Sequence, residues 1–339
     1  MVDPEILALW KESTTRLREL REARLQVKED ARAAEARFIM EVWSNRSGSQ
    51  WKRDGERYCQ RIKECGITGV RLMTESQSSG GYSLSKFGED PASLLRTCLL
   101  IKEQGLTVGL TTWPEPTKRE IDRLIDGDER LPGLPQLCVD TDARLLEFDA
   151  EGGNWDHEYV RGFKDLDEAS TYLHSRLHAK RAELGGDFRI GVSTHHGRTT
   201  KSYTILSGSR EVAGVPTPWV DECAIQVYSK YAADEPDRWW GAKYGPGSFQ
   251  EAGLKKIRGL QINELPEAGL GVPSWNQEYP VHAGGGRARP GEESMVKAMC
   301  AAYAQGCRNL CLWELSFVME NAYVLEAMKA FASALVEPE

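Results

Sequence analysis

The sequence predicts an α/β fold, a (β/α)8 TIM barrel preceded by a long N-terminal helix. Three observations lead to this prediction: eight strand-like segments occur along the chain, helix-like segments follow most of them, and 339 residues suffice for one such barrel. Strands that alternate with helices form parallel sheets, because the chain must cross back before each new strand. An open doubly wound sheet is the alternative, but no glycine-rich phosphate loop follows the first strand.

Short apolar runs bounded by turn residues mark the strands. The predicted strands cover residues 37–44, 67–74, 106–112, 145–151, 188–193, 222–228, 269–275 and 309–315. Amphipathic segments, several of them closed by glycine, mark the helices. The predicted helices cover residues 54–65, 91–104, 117–125, 166–184, 249–260, 292–305 and 321–336. The connection from 194 to 221 has no clear helix pattern, so the fifth strand is predicted without a helix after it.

The N-terminal segment differs in pattern from the rest of the chain. Residues 4–36 contain no glycine and are rich in Leu, Arg, Glu and Ala, which predicts one long helix. Its apolar positions are sparse, so we expect it to pack along the barrel or to contact another subunit in an oligomer or assembly. The predicted division is an N-terminal helix over residues 1–36 and a barrel catalytic domain over residues 37–339.

Composition narrows the class of protein. The chain is 40% hydrophobic and 28% charged, as globular proteins are, and its net charge of −8 argues against a nucleic-acid surface. No apolar run reaches membrane-spanning length, and the acidic N-terminus does not resemble a secretory signal. We therefore expect no nucleic-acid partner, no membrane insertion and synthesis in the cytoplasm, with lysis as the route of release. The eight cysteines lie mostly in apolar segments, which indicates free thiols of the core.

Three carboxylates occupy alternate positions of the fourth predicted strand. Because successive side chains of a strand point to opposite faces, Glu147, Asp149 and Glu151 are expected on one face, with apolar residues on the other. Carboxylates packed so closely repel one another, and burial raises their pKa values further. The stripe lowers stability, which indicates a use in acid chemistry or ligand binding. Glu151 ends the strand before Gly152 and Gly153, where it can reach substrate, and is the predicted general acid.

Aromatic and polar residues also collect where the predicted strands end. In a barrel, the active site lies at the carboxyl ends of the strands. Aromatic rings stack on the apolar faces of sugars, while carboxylates and amides hydrogen-bond the hydroxyls, so we predict a polysaccharide cleft that needs neither a cofactor nor a metal. The predicted substrate-binding residues are Glu41, Trp43, Trp113, Glu147, Trp155, Gln226, Trp275 and Trp313.

The acid stripe resembles a known motif. Glu147-x-Asp149-x-Glu151 is similar to the end of the D-x-x-D-x-D-x-E motif of chitinase-type, family 18 glycoside hydrolases. The residues similar to further positions of that family's site are Gln226, Tyr228 and Trp313. The resemblance implies a hydrolase of N-acetylglucosamine polymers with Glu151 as acid and Asp149 orienting the substrate's N-acetyl group. It also implies Tyr228 as donor to the N-acetyl carbonyl and Trp313 as the floor of the sugar subsite.

The start of the barrel resembles a second family. The segment from Glu41 through Trp51 to residues 66–70 is similar to family 25 lysozymes, which also use an Asp-x-Glu pair on a barrel strand. This resemblance implies peptidoglycan as the substrate and degradation of cell walls as the role. Chitin and peptidoglycan therefore both stay open as substrates.

Three other functions fit parts of the sequence. A retaining glycosidase would use Glu151 as acid and Glu278, near the seventh strand, as a catalytic nucleophile on another glycan. A metal-dependent TIM-barrel isomerase or hydrolase would take the acid stripe with His195 or His196 as ligands. A non-catalytic sugar-binding or structural barrel would dock through its N-terminal helix.

Overall fold

The structure is a computed structural model. It describes residues 39–75, 82–113, 115, 117–149, 162–195, 209–212, 215–218, 220–226, 273–278 and 309–335. The helices predicted over residues 4–36, 249–260 and 292–305 lie outside these residues.

The structure describes ten strands, and eight of them build one parallel sheet. They are β1 (Ile39–Ser44), β2 (Gly69–Met73), β3 (Thr107–Thr112), β4 (Leu145–Asp149), β5 (Arg189–His195), β6 (Ser209–Val212), β7 (Val215–Pro218), β8 (Glu222–Gln226), β9 (Pro273–Glu278) and β10 (Asn309–Trp313). The six strands from β10 through β1 to β5 form a curled half-barrel, and the backbones of β8 and β9 complete a closed ring. Strands β6 and β7 form a separate antiparallel pair between β5 and β8.

The structure describes seven helices, and most of them follow a strand at which the sequence predicts a helix. They are α1 (Gly48–Glu64), α2 (Pro91–Glu103), α3 (Lys118–Asp126), α4 (Leu134–Asp140), α5 (Leu166–Glu183), α6 (Leu315–Glu320) and α7 (Ala322–Leu335). The prediction of an α/β fold of TIM type, with a curled parallel sheet, is confirmed. Among the described residues, every helix is too short or too polar to span a membrane.

Two boundaries and two short elements differ from the sequence prediction. Helix α1 begins at Gly48, well before residue 54, because Ser47 and Gln50 form a capping box that satisfies the first free N–H groups. Strand β9 covers Pro273–Glu278 and lies later than the predicted 269–275. The connection after β5 holds the β6–β7 pair, and the short helix α4 was not predicted.

The two faces of the sheet differ in character. The outward residues, among them Val42, Leu72 and Phe148, are buried against the surrounding helices in one large apolar core. Each large apolar side chain removed from water in this way stabilises the fold by roughly 1.5–3 kcal/mol. The inward residues alternate with them and include charged groups, as the pattern of β4 predicts. This alternation places Glu147 and Asp149 inside the barrel.

Candidate active site

Two glutamates and two arginines meet inside the barrel. Glu41 of β1, Arg71 of β2 and Glu147 of β4 are each 0% exposed. Arg71 donates from Nε to Glu41 Oε2 over 2.7 Å and from Nη1 to Glu147 Oε1. Arg144 donates from Nη2 to both oxygens of Glu41, over 2.8 and 2.7 Å. Thr111 Oγ1 donates to Glu147 Oε2 over 3.1 Å. We call these five residues the interior charge network, and their formal charges cancel.

Two glycines leave room for the interior charge network. Gly69 pairs in register with Glu41, and Gly109 pairs with Arg71. A Cβ on Gly69 would lie 2.2 Å from Thr107 Oγ1 and 3.2 Å from Glu41 Oε1. A Cβ on Gly109 would touch Arg71 Cγ at 3.4 Å. The absence of side chains at these two positions therefore lets large charged groups fill the barrel where apolar layers are usual.

The interior charge network accounts for part of the acid stripe. Taking an ion out of water costs several kcal/mol, and only close, well-oriented partners offset that cost. The sequence predicts substrate contact for Glu41 and Glu147, but the structure places both in ion pairs with arginines deep in the barrel. We therefore assign both carboxylates a supporting role beneath the site.

Asp149 is the part of the stripe that lies at the mouth. It is the last residue of β4 and is 3% exposed. The indole Nε1 of Trp113 donates to Asp149 Oδ2. The backbone N–H of Trp113 and the hydroxyl of Thr112 both donate to Glu75 Oε1. Hydrogen bonds thus tie together the carboxyl ends of β2, β3 and β4, which is where barrel enzymes carry their catalytic groups.

A small apolar group lies beside Asp149 inside the barrel. Trp43, Met73 and Cys311 are each 1% exposed and pack together, and we call them the inner cluster. The half-buried Trp113 packs against this cluster. The sequence predicts that Trp43 and Trp113 bind substrate. Trp43 is instead almost wholly enclosed within the inner cluster, whereas Trp113 keeps an exposed part.

The structure describes only some of the remaining predicted site residues. Glu151, Trp155 and Tyr228 lie outside the described residues. Strands β8, β9 and β10 end at Gln226, Glu278 and Trp313. The structure describes only the backbones of these three residues. These three positions therefore belong to the same edge of the barrel as Asp149. Trp275 lies inside β9, paired in register with Leu310, and not at the strand end that the sequence predicts.

Two residues of this region escape the sequence prediction. Arg71 is the one charged residue of Gly69–Met73, and a charge within a buried apolar strand requires a partner. That signal was available, although the identity of the partners was not. Glu75 follows β2 as an acid at a strand end, and nothing local indicates that it holds Trp113.

A lysine and a glutamate contribute further charge at the mouth. Burial lowers the pKa of Lys86, and the negative charge of Glu314 opposes that shift. Glu314 directly follows β10, and its Oε2 is enclosed without a hydrogen bond to any described residue. The mouth therefore holds charge of both signs near Trp313.

The described cysteines lie in the protein interior. Cys59, Cys65, Cys98 and Cys138 are free and buried, as the sequence predicts, and Cys311 is buried in the inner cluster. Burial raises the pKa of Cys59 to about 11 and that of Cys98 to about 12, so neither is a thiolate at neutral pH. In the part of the chain that the structure describes, no group of three or more His, Cys, Asp and Glu residues is arranged to hold a metal ion.

Comparison with known proteins places the fold among glycoside hydrolases. No family model matches the sequence, and no curated protein matches it. The catalytic domain of a hyperthermophilic chitinase from Pyrococcus furiosus is similar in structure, with a TM-score of 0.57, 12% identity and coverage of 89% of this chain and 97% of that one. A family 5 xyloglucanase from Bacteroides ovatus has a TM-score of 0.57 and 11% identity, covering 88% of this chain and 75% of that one.

A third solved structure gives the same result. A family 18 chitinase from Pseudoalteromonas aurantia has a TM-score of 0.52 and 12% identity, covering 88% of this chain and all of that one. At such identities the likeness is one of fold. The chain thus has a TIM-type fold of the kind that several glycoside hydrolase families use, and the fold does not select among those families.

Proposed function

We propose that the protein is a glycoside hydrolase of the (β/α)8 type, with its active site at the carboxyl end of the barrel. Asp149 carries the proposal: it is a nearly buried carboxylate at the end of β4, held by an indole N–H beside the inner cluster. Several solved structures that are similar to this chain are named as a chitinase, a mannanase or an endoglucanase. An acid beside aromatic rings suits sugar chemistry, because hydroxyls need acceptors and ring faces need apolar partners.

The proposed substrate is a polysaccharide that contains N-acetylglucosamine, such as chitin or peptidoglycan. Glu151 donates a proton to the glycosidic oxygen, and the substrate's own N-acetyl oxygen attacks the anomeric carbon. Asp149 accepts a hydrogen bond from the amide N–H and holds the N-acetyl group in position. Tyr228 donates a hydrogen bond to the carbonyl oxygen of that group. Trp313 forms the floor under the reacting sugar. Water then opens the cyclic intermediate, with Glu151 acting as base.

A second candidate uses two carboxylates directly. Glu278 is the last residue of β9, which is the seventh strand of the barrel, and Glu151 comes directly after the fourth. Retaining glycosidases place acid and nucleophile about 5–5.5 Å apart across the scissile bond. In this candidate, Glu278 attacks the anomeric carbon, and the substrate needs no N-acetyl group. The family 5 neighbours make this arrangement a serious alternative.

The proposed partner of the site is the polysaccharide alone. Nucleic acid and membrane insertion have no place in the proposal, and no cofactor takes part in it. We assign residues 1–36 to contact within an oligomer or assembly.

The test is release of reducing ends from peptidoglycan, chitin oligosaccharides and unacetylated glucans, assayed side by side. We expect turnover of one or both acetylated substrates and none of the glucans. Turnover of glucans alone would support the two-carboxylate candidate. Activity that is lost with a chelator and restored by metal would support the metal-dependent alternative. Binding without turnover on every substrate would identify a non-catalytic barrel.

A further inference from the structure

We infer that Trp113 is a positioning residue for Asp149, an inference that rests on the proposed function because it gives Asp149 a part in the reaction. The indole Nε1 donates to Asp149 Oδ2. An indole N–H has one proton and one direction, so the bond restrains the position of Asp149 Oδ2. The sequence assigns Trp113 to stacking against substrate, which is a different use of the same side chain.

Trp113 is itself held from two other directions. Its backbone N–H donates to Glu75 Oε1, which also accepts from the hydroxyl of Thr112. Its ring packs against the inner cluster. The indole therefore has little freedom to turn away from Asp149. A donor fixed in advance does not have to reorganise as the reaction proceeds, which is the main way in which enzymes lower barriers electrostatically.

The contact with Asp149 is also strong by type. Hydrogen bonds to an ionised acceptor are shorter and about twice as strong as those between neutral groups. A half-buried indole N–H normally finds a partner, and here that partner is the carboxylate that must accept the substrate amide. The Trp113 N–H thus holds Asp149 correctly turned for that amide.

Replacement by Phe separates positioning from stacking. Trp113→Phe keeps an aromatic face for a sugar and removes the N–H. Loss of a stacking surface raises KM with kcat nearly unchanged, because it weakens ground-state and transition-state binding alike. Loss of a positioning bond lowers kcat with KM nearly unchanged. We expect a fall in kcat of roughly 10- to 100-fold, as for a hydrogen bond to a charged group, with KM within about twofold.

Trp51→Phe is the matched control. The indole Nε1 of Trp51 donates to Ser44 Oγ over 3.1 Å, and the ring is buried in the outer core on α1. This variant also loses an indole hydrogen bond and ring volume, but away from Asp149. We expect it to lower stability and to leave kcat and KM within about twofold of wild type.

Nuclear magnetic resonance of the protein with 15N-labelled tryptophan tests the contact without any substrate. The chain has ten tryptophans, and the indole signal missing in Trp113→Phe identifies Trp113. In Asp149→Ala that signal should move to lower proton shift, because its charged acceptor is gone. Asp149→Asn, which keeps the volume, should move it in the same direction by less, and it serves if the alanine variant does not fold. Trp51→Phe should leave the signal in place.

The outcomes separate this inference from the proposed function. A Trp113 signal that responds to neither Asp149 variant overturns the inference. So does a Trp113→Phe enzyme with raised KM and unchanged kcat, which would show a stacking role in a working hydrolase. A wild-type protein inactive on every glycan would overturn the proposed function, and the indole signal would still decide whether Trp113 holds Asp149.

Discussion

At the scale of the residue, Arg71 is where we expect a single change to affect folding most. Its guanidinium joins Glu41 to Glu147 at 0% exposure. Arg71→Met keeps much of the side-chain packing and leaves two buried carboxylates with fewer partners. Breaking a buried ion pair from one side typically costs about 3–5 kcal/mol in unfolding free energy. Urea unfolding of wild type and variant measures the loss.

Two companion variants make that prediction specific. Arg53→Met removes an arginine whose side chain is 70% exposed beside Asp54, so we expect its urea midpoint to match that of wild type. Arg71→Met combined with Glu147→Gln removes one stranded charge and should recover part of the loss. If Arg71→Met unfolds at the same urea concentration as wild type, the interior charge network does not stabilise the barrel.

The carboxylates proposed to be catalytic give the second residue-scale prediction. Glu151→Gln keeps the shape of the side chain and removes its proton, so turnover should fall roughly 10²- to 10⁴-fold with folding intact. Asp149→Asn should cost a comparable factor if the N-acetyl group is the nucleophile, and Glu278→Gln should then cost little. Steady-state kinetics on chitin oligosaccharides and circular dichroism of each variant measure both effects.

The reverse ranking would decide for the other mechanism. If Glu278→Gln abolishes turnover while Asp149→Asn is mild, the two-carboxylate candidate is right. If Glu151→Gln turns over every active substrate at the wild-type rate, Glu151 is not the acid.

Positions in the candidate site were predictable from sequence where they depend on the residue pattern of a single strand. Alternation along β4 places Asp149 on the inward face at the strand end, and the segment after β3 brings Trp113 to the same edge. Contacts between strands were not predictable in this way. Glu41 looks like a substrate contact until Arg71 and Arg144 are seen to occupy its oxygens. Partners of a buried charge lie across the sheet, and a single sequence does not specify them.

At the scale of the element, the start of α1 shows that the apolar periodicity of a helix does not locate its first turn. The apolar period of this helix is visible from residue 54, but its first turn is fixed by side chains. Ser47 Oγ accepts from the Gln50 N–H over 3.3 Å, and Gln50 Oε1 accepts from the Ser47 N–H over 2.8 Å. The polar residues before Gly48 resemble a loop, so the apolar pattern alone does not indicate the capping box.

The cap gives an element-scale prediction. Ser47→Ala removes the acceptor for the first turn of α1 and should lower the unfolding free energy by about 1 kcal/mol. Ser49→Ala is the comparison variant, because Ser49 is exposed on the same helix turn and shares a 2.9 Å hydrogen bond with Ser47 Oγ, but accepts from no backbone N–H among the described hydrogen bonds. Urea unfolding compares the two variants. Equal midpoints would show that the Ser47 cap contributes nothing measurable.

At the scale of the whole molecule, the order of elements was the most predictable property. Each βα unit repeats the same change from strand pattern to helix pattern, and parallel pairing follows from the crossovers between them. The described pairs bear this out from β10 through β1 to β5. Between β5 and β8, where the sequence shows no clear helix pattern, the described residues form an antiparallel pair that the sequence does not predict. A short hairpin inserted in a connection has no repeat to reveal it.

The N-terminal segment gives the last prediction, which concerns assembly. Strand β1 begins at Ile39, and β10 pairs with β1 to close the ring, so the closure uses no residue of 1–34. Deleting residues 1–34 should therefore leave turnover within about twofold of wild type. It should also lower the number of subunits in the assembly, because a charged predicted helix with few apolar positions is better suited to a surface contact than to the core. Light scattering coupled to gel filtration measures the mass, and the polysaccharide assay measures turnover. A truncated protein with unchanged mass and lost activity would instead place this segment in the chemistry.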